Sequence, residues 1–366
     1  MKLSIKTILL QEMVAKATKG ASNNKMIPIT SLMAIELKDN TLTLTTTDAT
    51  NTLKIIQKDI QSEDFYVVVP VDIFSKLVAK TTAENITLTL NVNSLEVRGN
   101  GTYNIDLPLD EEGNLIKFPI YKFDESVEKH TIDSTSVKGI LTTNKAGLAE
   151  TMEIPCLTGY YCGEGRVITT DTFKVCDNKV KLFDKPVLIA PELMELLSIV
   201  ESEKITVQRD EGKILFTTAT TVIYGADLEG IDDYPIDAIK AYLQTEFKSV
   251  CTLPRAALLN VLDRLSLFIA PYDKNALYMT FNHDGLIISS KRSNGTELIK
   301  YANTKDFELF TCCVDIELLK SQISAQAGEV VELWYGHEKA IKMVSDKVTQ
   351  IVALLEDDRV ADNDED

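Results

Sequence analysis

The chain has 366 residues, of which 45% are hydrophobic and 25% are charged. At roughly 100–200 residues per domain, this length predicts two or three globular domains with enough apolar material for their cores. The formal net charge of −17 argues against a protein that holds nucleic acid by a uniformly basic surface. Because no apolar stretch of about 18 residues occurs, and Lys6, Gln11 and Glu12 interrupt the first apolar segment, we expect neither a membrane span nor a signal peptide.

The residues that most often carry chemistry are scattered along the chain. The six cysteines form no C-x-x-C pair and the three histidines lie far apart, whereas a zinc site needs three or four close ligands. We expect reduced, mostly buried thiols in a cytoplasmic protein. The sequence has no phosphate-binding loop or nucleophile elbow, and Asp232-Asp233 fits a solvated turn better than a metal site. These observations predict a protein without cofactors that is not an enzyme.

One composite unit occurs three times: a helix, a β-hairpin, a second helix and a second hairpin. In the first copy we predict a helix over 4–18, a hairpin over 32–48, and the second helix with its hairpin over 67–99. The alternation in LTLT (42–45) predicts leucines on a buried face and threonines on the opposite face.

The later copies follow in the same order. The second copy has its segments at 133–149, 158–171 and 187–218. The third copy has them at 254–268, 277–290 and 311–345. Asp72, Glu192 and Asp315 are predicted at equivalent early positions of the three second helices, where a carboxylate interacts favourably with the helix dipole.

Repeated units of this kind also predict how the chain is organised. A single copy leaves open sheet edges, which neighbouring copies can pair. The sequence therefore predicts an α+β protein of three tandem domains, with helices on one face and antiparallel sheets on the other. The predicted domains span 1–126, 127–247 and 248–356, and an acidic, disordered tail follows at 357–366.

Several segments resemble the bacterial DNA polymerase III beta subunit, the DNA sliding clamp, in the same order along nearly the whole chain. They are KMIPI (25–29), LTLTTTDAT (42–50), PCLTG (155–159), VITTDTFKVC (167–176) and LEGIDDYP (228–235). The resemblance implies three DNA-clamp domains per subunit and a ring-shaped homodimer, with helices lining the inner face and antiparallel sheets outside. Such a ring is a processivity factor of DNA replication that encircles double-stranded DNA without reading its sequence. The implied partners are the replicative polymerase and the clamp loader, with no membrane contact.

The resemblance also implies basic residues on the inner helices. A topological link needs no strong electrostatic grip, so an acidic outer surface is compatible with the net charge. The candidate DNA-facing residues are Lys16, Lys19, Lys25, Lys80, Lys138, Lys145, Arg255 and Arg264, with Lys76 and Lys320 as further candidates. For each of them the alternative is an ordinary solvated helix face, because helix phase alone does not determine which side points inward.

In the family, partners insert a short hydrophobic peptide into a pocket between the middle and third domains. Transferred by motif, the pocket residues are Leu157, Thr170, Thr172, Phe173, Lys174, Val175, Pro235, Ile351, Ala353 and Leu355. Apolar walls with a few hydroxyls and one cation suit a peptide anchored by one or two apolar side chains. The alternative is that Leu157, Val175 and Ile351 are ordinary core residues of their strands.

This chain departs from the family pattern inside the predicted pocket. The family has Gly-His-Arg-Leu where this chain has Thr172-Phe173-Lys174-Val175, and Met-Pro-Met where it has Ala353-Leu354-Leu355. A family arginine is replaced by Ile239. These differences predict a different partner peptide or weaker binding.

For dimerisation the resemblance points to Tyr103, near the edge of the first domain, and to Leu267 and Phe268, after the first helix of the third. Closing the core of their own domains is the alternative role for all three. Three other functions stay open. The chain could be a clamp paralogue from a mobile element with altered partners, a metal-dependent hydrolase or nuclease built on a carboxylate cluster, or a structural repeat protein.

Overall fold

The structure is a computed structural model that describes residues 2–110, 112–119, 123–124, 127–210, 212–270, 274–291, 294–345 and 347–357. The α-helices in this part of the chain are α1 (Thr7–Ala17), α2 (Val71–Lys80), α3 (Ser134–Asn144), α4 (Pro191–Leu197), α5 (Ile236–Leu243), α6 (Arg255–Ser266) and α7 (Ile316–Ala325). Short 3₁₀ helices lie at Thr18–Gly20, Pro28–Ser31, Lys145–Gly147, Pro155–Thr158 and Ile231–Asp233. Most of the tail predicted at 357–366 lies outside the described residues.

Strands make up most of the remaining described structure. The first nine are β1 (Lys2–Lys6), β2 (Leu32–Lys38), β3 (Thr41–Thr47), β4 (Thr52–Gln57), β5 (Phe65–Pro70), β6 (Asn85–Leu90), β7 (Ser94–Arg98), β8 (Thr102–Asp106) and β9 (His130–Asp133). The next eight are β10 (Tyr160–Gly163), β11 (Arg166–Thr170), β12 (Lys174–Asn178), β13 (Val187–Ile189), β14 (Lys204–Asp210), β15 (Lys213–Thr217), β16 (Thr221–Ala226) and β17 (Ser249–Pro254). The last eight are β18 (Ala276–Asn282), β19 (Gly285–Ser290), β20 (Thr296–Ile299), β21 (Asn303–Lys305), β22 (Phe310–Asp315), β23 (Val330–His337), β24 (Ala340–Ser345) and β25 (Val348–Leu355).

The chain divides into two compact units, each made of two separate segments. The first unit comprises 1–138 and 192–227, and the second comprises 139–191 and 228–366. Every strand pairing named among the described residues is antiparallel, as in β2 with β3 and β12 with β25. Helices and antiparallel sheets together confirm the predicted α+β class. The predicted division into three domains stays a prediction.

The first unit contains a four-stranded sheet, β1-β6-β7-β8, and an eight-stranded sheet, β5-β2-β3-β4-β16-β15-β14-β9. The larger sheet joins strands from the first two sequence repeats, because β4 pairs with β16 through Thr52↔Tyr224 and Leu53↔Ile223. Helices α1 and α2 pack on each other, and the Gln11 side chain donates to the carbonyls of Val78 and Thr81, both at 2.9 Å. This side chain supplies donors to carbonyl groups at the end of α2, where the Val78 carbonyl also accepts the Thr81 N–H at 3.1 Å.

The second unit contains a 13-stranded sheet, in which β12 of the middle repeat pairs with β25 of the third. Helices α6 and α7 cover one part of this sheet. Their buried residues, among them Leu258, Leu262 and Leu319, pack against Met279, Phe281 and other strand residues in one apolar cluster. One face of α6 therefore lies in a core.

The first helix of each repeat is shorter in the structure than the sequence predicted. Residues 4–6 belong to β1, where Leu3 and Ile5 are buried and alternate with exposed neighbours, so period-2 burial replaces the helical period. The first two of these helices also end early, in the 3₁₀ turns that contain Gly20 and Gly147. A Cβ at Gly147 would lie 2.4 Å from the Thr169 hydroxyl, so a larger residue would separate this turn from β11.

The three early carboxylates are not equivalent in the structure. Asp72 and Glu192 are the second residues of α2 and α4. Asp315 instead precedes α7 as its N-cap, and its side chain accepts the backbone N–H groups of Glu317 at 2.8 Å and Leu318 at 3.1 Å. The predicted dipole interaction applies to the first two, whereas the third caps its helix directly.

Candidate functional site

The candidate pocket is built on the turn between β11 and β12. The Thr170 hydroxyl donates to the carbonyl of Lys174 at 2.7 Å and accepts the Thr172 N–H at 3.1 Å. The Asp171 carboxylate accepts the N–H groups of Phe173 and Lys174, both at 2.9 Å. These side chains replace the missing backbone partners of the turn and determine where the strand after it begins.

The first unit repeats this turn between β3 and β4. The Thr47 hydroxyl donates to the carbonyl of Asn51 at 2.6 Å and accepts the Ala49 N–H at 3.1 Å. The Asp48 carboxylate accepts the N–H groups of Thr50 at 2.8 Å and Asn51 at 2.6 Å. The segments TTDAT and TTDTF therefore encode one turn in two copies of the repeat.

A further threonine ties each turn to the helical segment before it. The Thr46 hydroxyl donates to the carbonyl of Ala17 at 2.6 Å, and the Thr169 hydroxyl donates to the carbonyl of Asn144 at 2.7 Å. Sequence reasoning did not assign these residues a role. The Thr-Thr-Asp segment that occurs at both turns is the sequence signal that could have identified Thr46 and Thr169.

Pairing of β12 with β25 brings the middle and C-terminal parts of the candidate pocket together. Val175 lies opposite Ile351 in this pairing, and the Ala353 N–H donates to the carbonyl of Phe173 at 2.8 Å. These residues are far apart in the sequence. The pairing places them side by side, as the transfer by motif requires.

The apolar members of the candidate set are deeply buried. Leu157, Val175 and Ile351 belong to one apolar cluster with Tyr234 and Ile239. Ile239, where the family has an arginine, therefore fills a core position. The cluster is compatible with core residues beneath a surface pocket and with the alternative that these residues are core residues only.

Other members of the set lie at the surface or point elsewhere. Phe173 is 61% exposed at the turn, and Pro235 and Thr172 are also exposed. Lys174, the one cation of the set, is buried and its ammonium lies 3.3 Å from the Asp171 carboxylate. Leu355 packs against a separate cluster with Tyr278.

The Cys156 thiol lies beside Leu157 in the same apolar cluster. Burial raises the pKa of this thiol, and the nearby Asp233 carboxylate raises it further. The thiol is therefore neutral near pH 7 and acts as a small apolar group in the wall of the cluster. All six cysteines are buried thiols that take part in no disulfide.

Several candidate DNA-facing cations are held by groups of their own unit. Both guanidinium arms of Arg264 bind the Glu297 carboxylate, at 2.8 and 2.6 Å. Arg255 donates to the carbonyls of Ile323 at 3.0 Å and Ser324 at 2.8 Å, at the end of α7. Both arginines therefore have partners within the third repeat, and their contact with DNA stays a prediction.

The lysines of the candidate set fall into two groups. Lys16 lies 2.7 Å from Glu201 in the same unit; Lys76 and Lys320 similarly pair with Asp72 and Asp263. Lys19, Lys25 and Lys80 are exposed and form no ion pair within the described residues. Lys138 and Lys145 are exposed as well. Lys19 lies in the 3₁₀ turn after α1, Lys25 in the loop that follows, and Lys80 at the end of α2.

The predicted dimer residues are all exposed. Tyr103 is 44% exposed on β8, the edge strand of the four-stranded sheet. Leu267 is 81% and Phe268 is 51% exposed directly after α6. Exposed apolar side chains beside an unpaired strand edge are features of a surface that can receive another chain.

The described residues contain no group of three or more His, Cys, Asp and Glu side chains arranged to hold a metal ion. In the same part of the chain, none of the helices combines the length and apolar character needed to cross a bilayer.

Comparison with solved structures identifies the fold. The sliding clamp of Bacillus subtilis is 16% identical, with a TM-score of 0.84 over 98% of this chain and 99% of that chain. The beta subunit of Streptococcus pyogenes DNA polymerase is 15% identical, with a TM-score of 0.86 over 98% of this chain and 100% of that chain. A sliding clamp of Pseudomonas aeruginosa, solved bound to griselimycin, is 14% identical, with a TM-score of 0.83 and coverage of 97% and 99%. The chain has the DNA sliding-clamp fold.

The sequence itself gives a second, narrower match. Residues 1–113 match the family model of the DNA polymerase III beta subunit, N-terminal domain. No curated protein sequence matches the chain significantly. The first 113 residues therefore belong to that domain family, and the resemblance found in the sequence is confirmed.

Proposed function

We propose that the protein is a DNA sliding clamp that encircles double-stranded DNA and tethers the replicative polymerase to it. The observation that carries the proposal is the match of the whole chain to complete clamp subunits, together with the N-terminal family match. The chain acts as a binding and tethering protein and catalyses no reaction. Its work on replicating DNA implies a cytoplasmic location.

The ring requires a homodimer in which two subunits meet head to tail. The exposed edge of β8 and Tyr103 supply one surface, while Leu267 and Phe268 supply apolar side chains for the other. An edge-to-edge pairing with an adjoining apolar contact would satisfy the open strand and bury these side chains.

The contact with DNA is weak and independent of sequence in this proposal. The net charge is −17, and Lys16, Arg255 and Arg264 are occupied by groups of the protein. Lys19, Lys25 and Lys80 are then the main phosphate contacts of the first unit. A few such contacts orient the duplex without preventing it from sliding.

Partners bind through a short hydrophobic peptide at the surface around Phe173, Pro235 and Ala353. Exposed Phe173 and the apolar cluster beneath it support this location. The polymerase and the clamp loader are the partner proteins proposed to contain such peptides.

A clamp paralogue with altered partners is the second candidate. It is favoured by the changes at Thr172, Phe173 and Ile239, since these alter the predicted peptide surface. Fluorescence anisotropy with the clamp-binding peptide of the host polymerase distinguishes the two: binding supports the replicative clamp, and absence of binding supports the paralogue.

Retention on circular and linearised DNA tests encirclement directly. The protein is loaded onto nicked circular plasmid, and half of the sample is then cut once by a restriction enzyme. We expect gel filtration to show the protein on the circle and its loss from the cut DNA, because a closed ring leaves only over an end. The control is the double variant Leu267→Asp, Phe268→Asp, which should not close into a dimer and should leave both DNAs. Equal retention of the wild type on both DNAs would contradict encirclement.

A further inference from the structure

A second cleft in the second unit adjoins the candidate pocket. It has a volume of about 370 Å³ and shares Pro235 with the pocket set, which leaves room for one long side chain. Its lining includes the aromatic and aliphatic residues Tyr161, Pro186 and Ile236, and the exposed carboxylates of Asp232 and Asp237 form its rim. A peptide anchored in the pocket would therefore pass the mouth of this cleft.

The wall of the cleft is rigid. The rings of Tyr161 and Tyr234 stack with centroids 5.0 Å apart and planes 21° from parallel. Tyr234 is buried and its hydroxyl donates to the carbonyl of Ile168 at 3.2 Å. Tyr161 lies on β10, which is paired on both sides by β11 and β13. A preformed wall loses little conformational entropy when a ligand binds.

The rim carries negative charge that the protein leaves open. Asp232 and Asp237 are exposed and form no ion pair within the described residues. The ammonium group of Lys240 lies 2.5 Å from Glu164, and it also interacts electrostatically with Asp237 without forming an ion pair. At Ile239, which is buried, the resemblance implies an arginine that this chain lacks. The local charge therefore favours a cationic ligand.

We propose that this cleft binds a lysine or arginine side chain that flanks the apolar anchors of the partner peptide. The aliphatic stem lies against Pro186 and Ile236, and the charged end lies between Asp232 and Asp237. Charge complementarity and the shared Pro235 support this occupant. The inference rests on the proposed function, because the same peptide fills the candidate pocket.

Two synthetic peptides with the same central leucine and phenylalanine anchors test the proposal. One carries lysines on both flanks and the other carries glutamines, and fluorescence anisotropy measures both dissociation constants. We expect the lysine peptide to bind about three- to tenfold more tightly, as two exposed ion pairs allow, and the difference to shrink as salt is added.

Variants locate the effect. The double variant Asp232→Asn, Asp237→Asn should bind both peptides with the affinity that the wild type has for the glutamine peptide. Asp284→Asn, a carboxylate exposed in the β18–β19 turn, is the matched control and should keep the preference for lysine. Asp232→Lys should weaken binding of the lysine peptide below that of the glutamine peptide. Circular dichroism verifies that each variant is folded.

The outcomes separate this inference from the function on which it rests. Equal affinity of the wild type for both peptides, or a lysine preference that survives in the double variant, overturns the inference and leaves the peptide pocket in place. If neither peptide binds the wild type, both the inference and the proposed peptide pocket are wrong.

Discussion

Thr172 departs from the clamp pattern at a position where the backbone conformation favours glycine. Its φ is +81°, and the equivalent Ala49 has a φ of +85°. L-residues rarely adopt this region because Cβ crowds the backbone, whereas glycine adopts it freely. The family has glycine at the position of Thr172. The turn holds this conformation because Thr170 and Asp171 bind the N–H groups on either side.

Replacing Thr172 with glycine should stabilise the second unit. Relief of the positive-φ strain is worth about 1–2 kcal/mol, and the greater freedom of glycine in the unfolded chain offsets part of it, so we expect a gain of about 0.5–1 kcal/mol. Urea denaturation measures the change. Thr151→Gly, an exposed loop position without positive φ, serves as the control and should be neutral or destabilising. A loss of stability in Thr172→Gly would show that the threonine side chain stabilises the turn.

At the scale of secondary-structure elements, a buried network of polar side chains joins α7 to β12 and β25. The Gln322 side chain donates to the carbonyl of Ala146 at 2.8 Å and accepts from the Cys176 thiol at 2.9 Å. The Gln350 side chain accepts from Gln326 and donates to the same sulfur at 3.5 Å. Burial raises the pKa of the Cys176 thiol to about 12, so it stays protonated and can donate. Because these polar groups have no access to water, the network favours one arrangement of the three elements.

Truncation of Gln350 should destabilise this junction. Gln350→Ala leaves the buried amide of Gln326 without its partner and creates a small cavity, which together cost about 2–3 kcal/mol. Hydrogen exchange followed by mass spectrometry compares the variant with the wild type. The exchange rate should increase more in β12 and β25 than in the first unit. Gln61→Ala, at an exposed loop position, should change stability by less than about 0.5 kcal/mol. Unchanged exchange in both strands would mean that the network does not stabilise the junction.

At the scale of the whole molecule, the distribution of charge reconciles an acidic protein with the proposed DNA partner. The chain carries 38 basic and 55 acidic residues, and several basic residues on the helices are paired with carboxylates nearby. Such pairs contribute little to stability at an exposed surface. Their main effect in a sliding clamp would be to limit the number of cations that reach phosphate groups.

The lysines without ion pairs should therefore account for most of the salt dependence of DNA binding. In the triple variant Lys19→Gln, Lys25→Gln, Lys80→Gln, we expect the slope of log K against log salt to fall by about 2–3, since each lost phosphate contact removes about 0.9. Anisotropy with a short duplex over a range of salt concentrations measures the slope. A control triple removes the same charge at Lys58, Lys117 and Lys213, which are exposed on a loop, a connecting segment and a strand of the first unit. Equal slopes for the two triple variants would show that Lys19, Lys25 and Lys80 are not the main phosphate contacts.

Much of the fold could be predicted because the signals that define it are local. The spacing of apolar residues predicted the helices and hairpins of all three repeats, and the errors lay at their ends, as at 4–6, where β1 precedes α1. The repeated Thr-Thr-Asp segments specify their turns through hydrogen bonds within five residues. Resemblance to the clamp family supplied the candidate sites, which periodicity does not encode.

The sequence by itself determined the repeated α+β units, the positions of their turns and the family to which they point, because each depends on neighbours within a few residues. Only the tertiary structure decided which basic side chains form ion pairs or hydrogen bonds within the protein, and which pocket residues are buried. Arg264 finds Glu297 33 positions away, and Gln322 finds Ala146 176 positions away. Charge pairing and burial depend on contacts between segments that are distant in the sequence, and no local pattern specifies those distant partners.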